Sequence, residues 1–308
     1  MKLKCGLFIP VCDDSYVVRQ AMSVAEQCLQ PDRILIVDSS GSQMDLSPYQ
    51  VLDAEVVKIP RQDFDHGGTR NLALDVLSGC DVIVYLTQDA VFASRTSLRN
   101  LMCAFRVGEV SAAYGRHVPW ARSSAIARHA RLYNYPDRPS YKVLADASEQ
   151  GIKAIFMSNA FAAYRLSALK EIGGFRAPVI MGEDMEAAAR LLLAGCKIAY
   201  VAEARVYHSH EYGLRDEFRR YFDIGVFHRE QGWILKRFGR AEGEGRRFVR
   251  SELSYLRQHA PWRIPEALLR TCLKYLGYRA GKNYHVLPES LLPKLSMNRN
   301  YWPRRRVA

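Results

Sequence analysis

Two stretches of this chain combine residue types that could handle a charged ligand. His66-Gly67-Gly68-Thr69-Arg70-Asn71 sets a paired glycine, which lets a backbone pass close to another group, beside a guanidinium with fixed planar donors. Further on, the apolar run Val82-Ile83-Val84-Tyr85-Leu86 ends in Thr87-Gln88-Asp89-Ala90. A buried strand delivers an acid to the edge of a sheet in this way. A glycine turn and an arginine ahead of a helix, followed by a strand-end aspartate, suit a ligand bearing a diphosphate and a divalent cation. One carboxylate is enough for such a cation when phosphates and water complete its sphere. Taken singly, the features have plainer readings. Gly-Gly is an ordinary turn, an aspartate after a strand caps a helix, and His66 steadies the turn. Glu183-Asp184 opens a helix, where the macrodipole favours acids without any catalysis.

The elements that would position these residues alternate along the chain. Apolar, β-branched runs predict strands at 3–11, 33–38, 54–59, 82–86 and 111–115, with helices at 16–29, 71–77 and near 97–106. That order predicts an α/β fold with a doubly wound, mostly parallel sheet flanked by helices, which binds ligands at the carboxyl ends of its strands. Residues 131–151, rich in Tyr, Pro, Asp and Ser, read as a loop or lid. Residues 167–172 read as a short helix stopped by Gly173-Gly174, and 183–193 as a helix stopped by Gly195. Two short strands, 197–201 and 204–208, complete this half. Of His208 and His210 only one is expected to face a ligand, and His208 is preferred.

Short motifs occur in a fixed order. They are Ile9-Pro10-Val11, Ile36-Val37-Asp38-Ser39-Ser40, His66 to Asn71, Leu86 to Ala90, Tyr114-Gly115-Arg116, Tyr133-Asn134-Tyr135-Pro136, Phe156-Met157-Ser158-Asn159, Gly173-Gly174-Phe175, Glu183-Asp184-Met185 and His208-Ser209-His210. Through them, residues 3–228 resemble the inverting glycosyltransferases of family 2, which have the Rossmann-like GT-A fold. Within that family the likeness is to rhamnosyltransferases of bacterial polysaccharide assembly. The usual Asp-x-Asp of GT-A enzymes is here Thr87-Gln88-Asp89, as is typical of that branch.

The resemblance implies a set of roles. Asp38 accepts a hydrogen bond from the imide N–H of uracil or thymine, and Pro10 and Val11 line the same pocket. Ser39, His66, Gly68, Arg70 and Gln88 contact the nucleotide sugar, with Arg70 ranked well above His66. Asp89 and His208 hold Mg²⁺ or Mn²⁺, and Asp184 is the general base for the acceptor hydroxyl. On its own spacing, Asp38 equally caps the turn that follows it. Ser158-Asn159 and Tyr133-Asn134-Tyr135 suit sugar contacts or core packing. The implied reaction moves a deoxyhexose, L-rhamnose from dTDP-L-rhamnose, onto a glycan carried by a polyprenyl diphosphate, as in O-antigen and lipopolysaccharide assembly. Another sugar nucleotide on the same scaffold is one alternative. A non-catalytic nucleic-acid or membrane-binding module is the other.

Composition bounds the setting. The 308 residues are 48% hydrophobic, enough for a large core, yet no run approaches the roughly 18 apolar residues of a membrane span. The charged start Met1-Lys2-Leu3-Lys4 precedes an apolar run that stops at Cys12-Asp13-Asp14, too short for a signal peptide. Seven scattered cysteines without a Cys-x-x-Cys fit reduced thiols in the cytoplasm. Residues 1–212 hold 23 Lys and Arg against 23 Asp and Glu, whereas residues 213–308 hold 21 against 9. The whole formal charge of +12 therefore sits in the last segment, interleaved with Phe, Tyr and Trp and ending in Arg304-Arg305-Arg306. This divides the chain into a GT-A catalytic domain, 1–212, and a C-terminal helical, membrane-associating region, 213–308. An anionic membrane surface is the expected partner of that region, ahead of nucleic acid or a merely solvated surface. The expected location is cytoplasmic, peripheral on the inner face of the plasma membrane.

Overall fold

A computed structural model describes residues 3–41, 44–239 and 242–305; Met1, Lys2 and Arg306 lie outside them. Among the described residues nine strands form one sheet: β1 (Cys5–Val11), β2 (Arg33–Asp38), β3 (Glu55–Lys58), β4 (Val82–Leu86), β5 (Val91–Phe92), β6 (Val110–Val118), β7 (Ser140–Lys142), β8 (Phe161–Arg165) and β9 (Lys197–Tyr207). Their order is β3-β2-β1-β4-β8-β6-β9-β5, and β7 also pairs with β9. The strands β3, β2, β1 and β4 run parallel, as do β6 and β9. Between these groups β8 lies antiparallel to both β4 and β6. The parallel part brings the ends of β1, β2 and β4 to one edge, where Val11 stands beside Asp38 in register.

Strand periodicity explains the two cores. Leu7, Ile9, Ile36, Val82, Val84 and Leu86 point to one face, and Phe8, Leu35, Val37, Ile83 and Tyr85 to the other. Helices cover both faces, which is why β4 is apolar at every position. The second face's cluster continues into the C-terminal part through Phe222, Val226, Ile234, Tyr284, Tyr301 and Trp302. No helix among the described residues is long and apolar enough to cross a membrane.

Three local expectations need correction. Residues 131–151 are not one loop: they hold the end of the helix Ala125–Asn134, β7, and the helix Ala147–Gln150. The strand is short and exposed on two of its three residues, so it carries little apolar signal. The segments 197–201 and 204–208 are one strand, β9, whose pairing with β6 shifts between Val201 and Arg205. The helix expected from Asn71 begins five residues earlier, at His66. Asp65 starts it, its Oδ1 accepting the N–H groups of Gly67 (3.1 Å) and Gly68 (2.7 Å). Gly67 is needed because a Cβ there would lie 1.8 Å from the Arg176 carbonyl oxygen.

Candidate active site

The turn after β4 is fixed from three sides. Gln20, fully buried, donates to the carbonyls of Thr87 (2.6 Å) and Ala90 (2.9 Å) while accepting from the Tyr49 hydroxyl (2.6 Å). The Gln88 side chain accepts the N–H of Cys12 at 2.6 Å, tying the turn to the end of β1. The Thr87 hydroxyl donates to Asp89 Oδ1 at 2.8 Å. Asp89 Oδ2 is left facing two imidazoles, His208 Nε2 at 3.2 Å and His210 Nε2 at 3.6 Å. Burial raises the Asp89 carboxyl, but the two rings and the Thr87 hydroxyl outweigh it and hold the group well below the usual carboxylate range.

Both histidines therefore face the acid, where only His208 was expected to. β9 ends at Tyr207, yet the two rings fall on one side, as residues two apart also do within a strand. The ligating atoms of Asp89, His208 and His210 lie within 4.8 Å of one another. Burial, then His208, pushes the His210 imidazolium down to about 3, so its ring is neutral at physiological pH. One carboxylate and two imidazoles form a donor set that suits a divalent cation. Behind them, His117 of β6 puts Nδ1 3.1 Å from His208 Nδ1 and stacks on Tyr135 with ring centroids 4.0 Å apart.

A second group forms at the start of the helix Glu183–Leu193. Gly182 precedes it at φ +79°, pressed against the Phe227 ring. Glu183 is buried against Arg70, with Nε 3.3 Å from Oε1 and both side chains only 6% exposed. The pair is electrostatic, since the buried Arg70 Nε–H makes no aligned hydrogen bond. Asn159 links the acids: its side-chain amide donates to Glu183 (3.1 Å), its backbone N–H donates to Asp184 Oδ2 (3.1 Å), and its side-chain Oδ1 accepts from the Tyr164 hydroxyl (2.7 Å). Burial first, and the Glu183 charge second, push the Asp184 carboxyl up to about 7. A carboxyl poised there exchanges a proton readily near neutral pH.

The third group lies at the ends of β1 and β2. Asp38 is buried and accepts the Ser40 N–H at 2.8 Å, as a turn-capping aspartate would. Ser39 donates both its N–H (2.9 Å) and its hydroxyl (3.0 Å) to the Val11 carbonyl. Pro10 pairs with Val37 in register. Through the Gln88 bond this pocket adjoins the Asp89 turn.

The remaining expected donor contacts have partners inside the protein. His66 Nε2 meets Asn298 Oδ1 at 3.0 Å, Gly68 gives its N–H to Asp65, and Arg70 is held by Glu183 and by the His66 carbonyl (2.8 Å). None of these contacts is to the Asp89 group. The structure adds His117, His210, Asn159 and Glu183 to the site. Arg220 joins them: Nη1 is 3.4 Å from the Tyr212 hydroxyl, and it feels the Asp184 charge. Asn159, Glu183 and His210 stand in motifs read from the sequence, and the two-residue spacing of the histidines was the signal for His210; His117 and Arg220 carried none.

A model of the family described as glycosyl transferase family group 2 matches residues 82–229. The chain is 44% identical over 303 residues to the O-antigen chain rhamnosyltransferase RfbN of Salmonella typhimurium, spanning 97% of this chain and 96% of that one. It is 44% identical over 277 residues to the O-antigen chain rhamnosyltransferase WbaN of Salmonella anatum, spanning 90% and 88%. Among solved structures it is similar to the mannosyltransferase PcManGT of Pyrobaculum calidifontis in complex with GDP-Man and Mn²⁺, with a TM-score of 0.57 at 15% identity, covering all of this chain and 87% of that one. It is also similar to S. aureus TarS 1-349 in complex with UDP-GlcNAc, with a TM-score of 0.53 at 12% identity, covering 92% and 91%. At those identities the structural likeness speaks for the GT-A fold alone. Identity of 44% along nearly the whole chain with two rhamnosyltransferases speaks for more: the chain belongs to glycosyltransferase family 2, and is an inverting enzyme that moves a sugar from a nucleotide-sugar donor to a glycan acceptor.

Proposed function

We propose that the enzyme transfers L-rhamnose from dTDP-L-rhamnose to a polyprenyl-diphosphate-linked glycan in O-antigen assembly, at the cytoplasmic face of the plasma membrane. The identity of the sugar is supported by the two rhamnosyltransferase relatives. The chemistry is supported by one observation above the others: a metal-type cluster, Asp89–His208–His210, accompanied by a separate carboxyl, Asp184, whose proton affinity sits near neutrality. In this reading residues 1–212 hold donor and acceptor, and residues 213–308 face the membrane.

Asp38 takes the thymine imide N–H, and the Pro10-Val11 backbone lines the base. Asp89, His208 and His210 hold Mn²⁺ or Mg²⁺, and the two imidazoles favour Mn²⁺. When bound, the cation supplies charge neutralisation to the departing diphosphate. Asp184 takes the proton of the acceptor hydroxyl as that oxygen bonds to the anomeric carbon and the bond to the diphosphate breaks on the opposite face. Asn159 and Glu183 act through Asp184: the first holds one of its oxygens, and the second raises its proton affinity. Arg70 balances the Glu183 charge, and His66 and Gly68 support the helix that carries it.

His117 acts through His208. A lone pair on His208 Nε2 for the cation requires the proton on its Nδ1, donated to His117 Nδ1; the His117 proton is then on Nε2, which is buried without a partner. His117→Phe keeps the stacking on Tyr135 but removes that acceptor. It should weaken Mn²⁺ binding about 10–100-fold in calorimetric titration; unchanged affinity would remove His117 from the site.

The donor is tested by a thermal-shift panel of sugar nucleotides with and without Mn²⁺. A ligand at 100 times its Kd stabilises the fold by about 2.7 kcal/mol. dTDP-L-rhamnose should give the largest shift; a larger one from a UDP- or GDP-sugar would overturn the assignment.

A further inference from the structure

The two sides of the helix Ile264–Lys282 have opposite environments. Inward, Gly277 and Gly281 press on the helix Leu214–Glu230; Cβ atoms there would lie 2.3 Å from the Phe218 carbonyl and 2.0 Å from that of Phe222. Arg270 and Lys274 also turn inward, 3.2 and 3.7 Å from the buried Glu217 carboxylate. Outward, Leu268, Leu269, Tyr275 and Leu276 are 46–60% exposed, and Trp262, just before the helix, is 75% exposed. At about 100° per residue, positions 268, 269, 272, 275, 276 and 279 fall within roughly a third of the helix circumference. All but Arg279 are apolar or aromatic, which makes an apolar stripe ending in a cation, and such patches mark interaction surfaces.

Cations stand at its end. Arg229, Arg279 and Lys282, with Tyr278 and Asn283, line a cavity of about 210 Å³. None of these three cations is in an ion pair among the described residues. They differ in this from Arg270 and Lys274, whose charge is spent inside the fold. Apolar stripe and cations without a carboxylate partner among the described residues together fit a surface with hydrocarbon beneath and phosphate above. A second copy of the chain fits badly, because it would bring together two segments of formal charge +12.

We propose that this face docks on an anionic phospholipid bilayer. Trp262, Leu268, Leu269, Tyr275 and Leu276 enter the boundary between headgroups and acyl chains, and Arg229, Arg279 and Lys282 receive lipid phosphate. The inference deepens the membrane placement proposed above and rests on it. The glycine contacts make the helix a rigid part of the enzyme, so docking also fixes how the active site stands over the bilayer.

The test is flotation of the full chain with vesicles of phosphatidylcholine, with and without phosphatidylglycerol. The wild type should float with the anionic vesicles, and less as salt rises, since charges are screened over about 8 Å at physiological ionic strength. Replacing Trp262, Leu269, Tyr275 and Leu276 by Ser should reduce partitioning at least about tenfold, with unchanged melting temperature and donor-induced thermal shift. Arg279→Glu with Lys282→Glu should remove most of the salt-sensitive part. Equal flotation of wild type and the serine variant would overturn the proposal. So would a wild-type dimer that the serine substitutions split, with flotation unaltered, which would give the face to a second copy. Failure to bind vesicles alongside a normal response to dTDP-L-rhamnose would sink the docking face and leave the transferase reading standing; no response to the donor would sink the latter independently.

Discussion

Asp184→Asn is expected to lower turnover by about 10²–10⁴, the usual range for loss of a general base, with donor affinity nearly unchanged. The amide is close to isosteric and its oxygen still accepts one of the two N–H groups, of Asn159 and Met185, that the carboxylate holds, so the main loss is of proton affinity. The wild-type carboxyl is pushed up to about 7, so its basic form grows between pH 6 and 8. Turnover should rise over that window and then level, and the variant should lose the rise. Stability runs the other way. The folded state binds this proton more tightly than the unfolded chain, whose carboxyl keeps its ordinary value of 3.8, so stability from this group falls as pH rises from about 4 to 7. Asparagine removes that slope, and at pH 8 the variant should melt no lower than the wild type. A variant that stays active but melts much earlier would make Asp184 a helix cap.

Asp89→Asn should cost at least about 10² in turnover, as loss of a preorganised electrostatic group does, together with measurable Mn²⁺ binding. Thr87 can still donate to the amide oxygen, so the turn should keep its shape, and Gln20 holds it independently. The check pairs Mn²⁺ titration by electron paramagnetic resonance with transfer assays in EDTA. Full activity of the variant in EDTA would mean that the diphosphate charge is met without a cation, by side chains such as Arg220.

How much of this was legible depended on the range of the interactions. Strands β2 and β4 and the helix Glu183–Leu193 were read to the residue, because buried parallel strands are continuous apolar runs and the helix has acids at its start and Gly195 past its end. Asp89 was legible for the same reason. The pairing of Arg70 with Glu183 was not, since 113 positions separate them and either residue alone looks solvent-facing. His66 was read as a donor contact, but its partner is Asn298, in a segment that local patterns do not connect to it. The Gly-Gly pair did mark a close backbone approach. What approaches Gly67 is the protein's own Arg176 carbonyl. His210 was set aside although residues two apart share one face of a strand, so the spacing of His208 and His210 itself favoured both.

The positions of donor, cation and base are tested most directly by a crystal structure with dTDP-L-rhamnose and Mn²⁺, recorded at the manganese absorption edge. The expected result is one anomalous peak bonded to Asp89, His208, His210 and the diphosphate, with thymine on Asp38. The face of the anomeric carbon opposite the diphosphate should be turned to Asp184. A donor or ion bound elsewhere, or Asp184 on the same face as the departing diphosphate, would contradict it.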